Sequence, residues 1–380
     1  MSPPASTASP LQPRLSFSKS GAAFRAELLR RVDAYFATTG KSRHATVGMR
    51  LKSAFWVGGL LTQLGLLSFV PTPTWLSVLL ALGVGFFVAG MGFNVGHDAI
   101  HGSYSARRGV NALLGRSFDL MGASSIMWSW AHNIVHHTYT NVPGVDHDLE
   151  PGPFLRFYRK DKPSWAHRLQ HVYAWPLYCF TSLVWVVKKD FAQLLEVNPH
   201  TGRKGGAREW ADVLLGKALH WCVFLGLPLL GGRHAWWQVL VGYGLSLAVS
   251  GFTAAIVFQL AHVVEGPTFP SPNHAGELED DFFVHQLKTT SNFAARNPVA
   301  TFIVGGLNHQ VEHHLFPRIC HVHYPALSNI VKACAQEFGV PYFEQPTFLA
   351  AVASHARRLR DIGRAASLPE TEPLAAPARA

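Results

Sequence analysis

The sequence predicts an all-α integral membrane protein with four transmembrane helices and a cytoplasmic helical cap that carries a histidine-rich site. Three observations lead to this prediction. Only 15% of the 380 residues are Asp, Glu, Lys or Arg, whereas 48% are hydrophobic. Several uncharged runs reach the length of about 20 residues that a helix needs to cross a bilayer. Histidines gather in three short clusters beside or between these runs.

Four segments are apolar enough to be transmembrane helices. The strongest are residues 75–95 and 236–261, which contain no charged residue. Residues 54–70 and 213–232 are weaker, and they contain the glycines and prolines that are common in membrane helices. We therefore predict a membrane domain over residues 51–345, which follows a partly disordered cytoplasmic segment at 1–50. A C-terminal tail with a disordered end follows at 346–380.

Basic residues predict which side of the membrane the histidines face. Nine Lys and Arg residues precede the first span, none lies in the turn at 71–74, and only Arg233 lies in the turn at 231–235. This asymmetry places the N-terminus in the cytoplasm. Residues 172–187 are also uncharged, but the segment is short and has basic residues on both sides. We predict that it lies at the cytoplasmic interface, which keeps all three clusters on one side.

Charge and cysteine content exclude other classes of protein. The net charge of +10 is explained by basic residues flanking membrane spans, so nucleic acid is not predicted as a partner. The four cysteines have no CxxC spacing, which argues against a zinc ribbon or a disulfide framework.

The three clusters have spacings that bring side chains together on helices. The first is HDAIH at 97–101, the second is HNIVHH at 132–137 and the third is QVEHH at 310–314. Residues three or four apart lie on one face of a helix, so members of each cluster point together. His262, at the end of the last span, lies at the same predicted depth as the clusters.

So many imidazoles on one membrane face predict a pair of metal ions. Imidazole binds iron, copper, zinc and nickel, but one zinc ion takes only about four ligands. Two iron ions are a sensible pair, because together they can activate O2. The predicted ligands are His97, His101, His132, His136, His137, His262, Gln310, His313 and His314.

Alternatives remain for the outer members of this set. His262 could instead be a buried histidine bonded to the backbone, and Gln310 could act through water. His147 is a weak alternative ligand. One polar residue within each cluster is predicted to form a hydrogen bond to a ligand, namely Asp98, Asn133 and Glu312. The alternative is that these side chains lie at the surface or bond to the backbone.

The clusters and their flanking residues resemble the histidine boxes of membrane fatty acyl desaturases. The matching segments are GHDAIHGSY (96–104), HNIVHHTYTN (132–141) and NHQVEHHLFP (308–317), with FQLAHVVE (258–265) between them. The similarity covers about residues 50–345, and the glutamine that opens the third box resembles the front-end subgroup, which includes linoleoyl-CoA desaturases. The resemblance implies a non-haem di-iron centre, O2 as co-substrate, and insertion of a cis double bond into an acyl-CoA or acyl-lipid.

The resemblance also bears on partners and location. Many front-end desaturases carry a fused cytochrome b5 domain with an HPGG motif, which does not occur in this sequence. A separate donor is therefore predicted, either ferredoxin or cytochrome b5 with its reductase, at a bacterial inner membrane. Trp128, Trp130 and Phe93 lie near the boxes, where they would line an acyl tunnel or merely pack.

Two other functions are alternatives to desaturation. A fatty acyl or lipid hydroxylase of the same superfamily would use similar ligands and the same oxidant, but the match around the third box favours a desaturase. A metal transporter would carry ionisable residues inside its spans. These spans have almost none.

Overall fold

The computed structural model describes residues 15–149, 152–159, 161–196 and 203–367. Disorder is predicted for part of residues 1–50 and for the end of the tail 346–380, and residues 1–14 and 368–380 of these segments lie outside the described residues. The described chain is mostly helical, and its helices are α1 (Ala22–Thr39), α2 (Val47–Phe69), α3 (Thr74–Ile100), α4 (Arg108–Gly115), α5 (Ser117–Met121), α6 (Ser125–Trp128), α7 (Gln170–Tyr178), α8 (Thr181–Val184), α9 (Asp190–Leu195), α10 (Ala207–Gly231), α11 (Trp236–His262), α12 (Phe282–Thr289), α13 (Pro298–Ile303), α14 (Gln310–Leu315), α15 (Tyr324–Glu337) and α16 (Phe348–Arg364).

Irregular helical turns and two short parallel sheets complete the described part of the fold. Four segments of the described residues are π-helical, two of them inside α3 and α10: Gly92–Gly96, Ser129–His136, Trp185–Lys189 and Cys222–Gly226. Two 3-10 turns lie at Ala166–Leu169 and His321–His323. The paired strands are β1 (Ser16–Phe17) with β2 (Glu277–Leu278), and β3 (Ser291–Phe293) with β4 (Phe343–Gln345).

Three helices in the described part of the chain are long and apolar enough to cross a membrane. They are α3, α10 and α11, with 27, 25 and 27 residues. At 1.5 Å per residue they reach about 38–40 Å, which exceeds a hydrocarbon core of about 30 Å. They correspond to the predicted spans 75–95, 213–232 and 236–261. The other predicted span, 54–70, falls almost entirely in α2. This helix carries Arg50 and Lys52 in its first two turns and is not one of the three helices that are long and apolar enough to cross a membrane.

Helices α3 and α11 pack side by side and run in the same direction. Ser246 Oγ donates a hydrogen bond of 2.7 Å to the Ala81 carbonyl. Gly85 permits this close approach, because a Cβ there would lie 2.3 Å from the Ser246 carbonyl oxygen. His97 lies sixteen residues after Ala81, and His262 lies sixteen residues after Ser246. Both helices therefore place a histidine at the same end of the bundle.

The segment predicted to lie at the membrane interface, 172–187, is a broken helix. Helix α7 ends at Tyr178 and α8 begins at Thr181, and π-helical turns follow. Large apolar side chains along this segment are exposed, namely Val172, Phe180, Leu183, Val184 and Val187. Whether it lies at the interface stays a prediction.

Helix α16 packs against the domain, although its residues fall within the predicted tail. Its amphipathic sequence buries Ala351, Leu359 and Ile362. The buried Arg156 donates to the carbonyls of Ile362 and Ala365 at 2.8 and 2.7 Å, and so satisfies the end of the helix. The packed part of the chain therefore extends beyond residue 345.

Gly305, five residues before the third histidine cluster, packs against the backbone that leads into the first cluster. Its φ is +63°, and a Cβ there would lie 2.4 Å from the Phe93 carbonyl oxygen. We expect Gly305→Ala to lower the free energy of unfolding by about 3 kcal/mol, because a left-handed backbone and a steric clash both act against the new methyl group. Thermal unfolding of the purified protein in detergent measures this loss.

Gly40→Ala is the matched control for that substitution. Gly40 has the same φ of +63°, but nothing lies within 4 Å of its Cβ position. Gly40→Ala should therefore lower the free energy of unfolding by about 1 kcal/mol, through the left-handed backbone alone. Equal falls in Tm for the two variants would contradict the close approach at Gly305.

Candidate metal centre

The three histidine clusters meet at one end of the long helices. The first follows the π-helical turn Gly92–Gly96 in α3, the second lies in and just after Ser129–His136, and the third lies on α14. π-helical turns are frequent at functional sites, since the extra residue in the turn redirects side chains. His262 is the last residue of α11. All the predicted ligands are buried, with at most 8% exposure: His97, His101, His132, His136, His137, His262, Gln310, His313 and His314.

Two groups of ring nitrogens are close enough to share an ion. Within each group the candidate ligand atoms lie within 4.8 Å of one another. The first group is His97, His101, His132 and His313, and the second group is His136, His262 and His314. The first group draws on all three clusters, and the second draws on two clusters and the end of α11.

His137 lies between the two groups. Its ring centroid is 4.5 Å from that of His313 in the first group and 4.4 Å from that of His314 in the second group. Gln310 begins the helix that carries both of these residues, and its Nε2 atom is buried without a hydrogen-bond partner. His137 is therefore adjacent to both groups, and the role of Gln310 as a ligand stays a prediction.

Carboxylates anchor the second histidine cluster through Nδ1. Asp148 lies 3.0 Å from His132 Nδ1, and Asp146 lies 2.9 Å from His136 Nδ1. Metal-bound histidines usually donate their second N–H to such an oxygen, which fixes the tautomer and the ring orientation. These contacts leave the Nε2 atoms of both rings to face the centre.

Neutral oxygens anchor three further rings in the same way. His314 Nδ1 lies 2.9 Å from Gln286 Oε1, and His313 Nδ1 lies 3.2 Å from the hydroxyl of Tyr324. His262 Nδ1 lies 3.3 Å from the Thr289 carbonyl. These acceptors come from α12 and from the first residue of α15.

On the other side of these rings, the Nε2 atoms have no protein oxygen within hydrogen-bond distance in the described part of the chain. Nε2 of His132 lies 3.2 Å from the Nε2 atoms of both His97 and His137. Buried nitrogens without partners are costly, and adjacent imidazole lone pairs repel unless a proton or a metal ion lies between them. The residues therefore fit a metal centre. Among the predicted ligands, those whose buried Nε2 atom has no hydrogen-bond partner in the described part of the chain are His101, His136, His262, His313 and His314.

Burial keeps most of these rings neutral. It lowers the pKa values well below the usual histidine range for His132, His137, His313 and His314. A neutral ring has the lone pair that a metal ligand needs. His136 differs, because the charge and hydrogen bond of Asp146 outweigh burial and raise its pKa.

Asp98, predicted to support the first cluster, contacts other groups. Its carboxylate accepts from Cys320 Sγ and from His321 Nδ1, both at 2.9 Å. Consecutive residues on a helix point to different faces, which explains why Asp98 turns away from the ring of His97. It ties the first cluster to the chain after the third cluster.

Asn133 and Glu312 likewise stabilise the polypeptide around the site. Asn133 donates to the Ile100 carbonyl at 2.9 Å. Glu312 accepts from Asn292 at 2.8 Å and from the Tyr342 hydroxyl at 3.0 Å. No hydrogen bond from either side chain to a predicted ligand occurs in the described part of the chain.

The carboxylates that hold the rings are not among the residues predicted from the sequence. Asp146 and Asp148 lie ten and sixteen residues after their histidine partners, in the tripeptide Asp-His-Asp. This acidic pair shortly after the second cluster was the available signal. His147, between them, belongs to neither group of candidate ligands.

Comparisons with known proteins identify the family of this chain. The sequence model described as Fatty acid desaturase matches residues 73–346. The sn-1 linoleoyl-lipid 6-desaturase of Synechocystis sp. is 38% identical over 346 residues, covering 90% of this chain and 96% of that protein. The protein of the same name from Arthrospira platensis is 35% identical over 345 residues, covering 90% of this chain and 93% of that protein.

A moss relative extends the similarity. The acyl-lipid (8-3)-desaturase of Physcomitrium patens is 36% identical over 337 residues, covering 88% of this chain and 70% of that protein. These matches confirm the resemblance carried by the three histidine clusters. The chain therefore belongs to the fatty acid desaturase family of oxidoreductases.

Proposed function

We propose that this desaturase inserts a cis double bond into an acyl chain of a membrane lipid, using O2 and two iron ions held by the first and second groups. The observation that carries the proposal is the pair of adjacent buried groups, in which five of the seven rings have an anchored Nδ1 atom and the Nε2 atoms converge. The relatives are named for linoleoyl-lipid and acyl-lipid substrates, which supports a lipid carrier and a front-end position. An acyl-CoA substrate is the alternative.

The side chains of this protein hold and shield the reacting region. When bound, an iron pair would supply O2 activation, so that two electrons, two protons and two hydrogens from neighbouring methylenes reduce O2 to two waters. Asp146 and Asp148 keep protons at Nδ1 of His136 and His132, and so keep Nε2 available. The burial of the histidines excludes bulk water, which limits side reactions.

Aromatic residues near the first group are proposed to line the acyl path. The ring centroids of Trp128 and His132 are 5.2 Å apart, and those of Trp128 and Trp185 are 5.1 Å apart. An acyl chain has no polar handle at the reacting carbons, so its position has to be set by the shape of an apolar tunnel. Trp130 and Phe93 are proposed for the same role.

We propose four spans, formed by α2, α3, α10 and α11, with the site at the cytoplasmic side of a bacterial inner membrane. Helix α2 packs against α3 as a hairpin, with Trp56 5.4 Å from the rings of both Phe86 and Phe87. The excess of basic residues before α2 supports a cytoplasmic N-terminus. The remaining helices would form the cap, with 172–187 at the interface.

A separate electron donor is proposed, either ferredoxin or cytochrome b5 with its reductase. The support is the net charge of +10, which favours docking of an acidic protein at a basic cytoplasmic face. Such docking is expected to weaken with rising salt concentration.

The fatty-acid profile of a bacterial host that lacks polyunsaturated lipids tests the function. The host is fed linoleate and expresses the desaturase with a ferredoxin and its reductase. We expect a new fatty acid with one more double bond, located by gas chromatography–mass spectrometry and recovered first in the membrane lipid fraction. Its early appearance in the CoA pool would instead assign an acyl-CoA substrate.

Other outcomes would change the proposal. A hydroxylated fatty acid would identify the hydroxylase of the same superfamily. The experiment is repeated with cytochrome b5 and its reductase as the donor. If no product forms with either donor and the purified protein contains no iron, the di-iron proposal is contradicted.

A further inference from the structure

A cavity of about 240 Å³ lies at the end of the bundle away from the candidate metal centre. Apolar side chains from α2, α3, α10 and α11 line it, including Leu64, Val84 and Phe224. Ala81 and Ser246 also line it, and the predicted ligands on their helices follow sixteen residues later. Sixteen helical residues span about 24 Å, so the cavity is well separated from the candidate metal centre.

The mouth of the cavity carries a cation without an internal counter-ion. Arg233, His234 and Thr72, from the two tight turns, contribute to the lining. Arg233 is exposed and its Nε donates to the Phe69 carbonyl at 3.2 Å. Neither residues 53–97 nor residues 213–264 contain an Asp or Glu, so neither helical hairpin offers a carboxylate to this guanidinium.

Tryptophans place this mouth at the depth of lipid headgroups. Trp75, Trp236 and Trp237 begin α3 and α11 beside the turns, and they are 65%, 68% and 54% exposed. Tryptophan is enriched at membrane–water interfaces, where its ring spans the boundary. A cation at this level meets the phosphates of lipids, and the apolar cavity lies below it in the hydrocarbon region.

We propose that this cavity binds an anionic glycerophospholipid from the leaflet opposite the candidate metal centre. The Arg233 guanidinium pairs with the lipid phosphate, to which it can donate two parallel hydrogen bonds. One acyl chain enters the cavity between α3 and α11. A net negative headgroup is preferred, because no protein carboxylate competes for Arg233 and a choline group would offset the phosphate charge. The site rests on the proposed membrane topology and is distinct from the substrate path.

Two glycines on α11 provide a cavity-filling variant and its control. Gly242 lines the cavity, and a Cβ there would lie 3.6 Å from the Ala81 Cβ, which is ordinary van der Waals contact. Gly244, two residues on, is exposed and has nothing within 4 Å of its Cβ position. Gly242→Leu therefore fills the cavity, whereas Gly244→Leu makes the same change on the lipid-facing side. Arg233→Gln removes the cation, and Arg208→Gln is its control at the other end of the bundle.

The test is thermal unfolding of the purified full-length protein in detergent with added dioleoyl phosphatidylglycerol or dioleoyl phosphatidylcholine. We expect phosphatidylglycerol to raise Tm by about 3 °C or more, since a ligand of the folded state stabilises it. Phosphatidylcholine should raise it much less. Gly242→Leu and Arg233→Gln should lose at least half of the phosphatidylglycerol shift, and both control variants should keep it. Desaturated products in cells should be the same for all four variants.

Three results would overturn the proposal. Equal shifts with both lipids would remove the role of charge at Arg233. An unchanged shift in Gly242→Leu would place the lipid elsewhere. A new double-bond position or chain-length preference in Gly242→Leu would assign the cavity to the substrate path. Failure of desaturation in the wild type leaves these shifts interpretable, because they are measured on the purified protein without donor or substrate.

Discussion

Replacing His313 with alanine is expected to abolish desaturation and to lower the bound iron by more than half. His313 belongs to the first group of candidate ligands, and its ring also contacts that of His137, which lies between the groups. Loss of this ring leaves the first group one nitrogen short and disturbs the residue that joins it to the second. Removing a residue that only hydrogen-bonds to a metal ligand lowers metal affinity or activity by about 10–100-fold. Removing a ligand itself should therefore lower product formation by more than about 100-fold.

Iron per protein, measured by inductively coupled plasma mass spectrometry, and the fatty-acid profile check this expectation together. His274→Ala is the matched control, because His274 is an exposed histidine in a loop and belongs to neither group. It should keep wild-type iron and product. Wild-type iron content and activity in His313→Ala would contradict the assignment of the first group.

Asp146→Asn is expected to lower iron affinity or activity by about 10–100-fold while leaving the protein folded. Asp146 lies within hydrogen-bond distance of His136 Nδ1 through both carboxylate oxygens, at 3.0 and 2.9 Å. Asparagine keeps the size of the side chain but removes the negative charge that raises the pKa of His136 against the effect of burial. The ring becomes a weaker electron donor and is held less firmly.

Iron titration of the metal-depleted protein, with Tm as the check on folding, measures this effect. Asp33→Asn is the control, since Asp33 is an exposed carboxylate paired with Arg43 at the surface, where an ion pair contributes little. Equal iron affinity in Asp146→Asn and Asp33→Asn would show that Asp146 does not tune the centre.

Local sequence was sufficient to predict the helices and the candidate ligands. Hydrophobic length predicted α3, α10 and α11, because a span depends only on consecutive apolar residues. Helical spacing predicted that His97 and His101 point together, and their ring centroids are 4.7 Å apart. His132 and His136 are also adjacent, with centroids 5.0 Å apart. The role of all these residues as iron ligands stays a prediction.

Local spacing could not predict how the histidines divide between the two groups. His132 and His136 lie on one face of their helix, yet they belong to different groups. The division depends on where α11 and α14 approach them, since His313 joins the first group and both His262 and His314 join the second. It is therefore set by the packing of distant segments.

The sequence by itself determined the family, the membrane helices and the set of histidines, because each is encoded in residues that are close along the chain. Only the tertiary structure decided which oxygen anchors each ring. His314, for example, meets Gln286 from α12 and Thr140, which lies 174 residues away. It also decided the pairing of Asp98 with His321 across 223 residues. The physical reason is that a hydrogen bond requires two groups to meet in space, and periodicity along one helix carries no information about the partner that the fold brings to it.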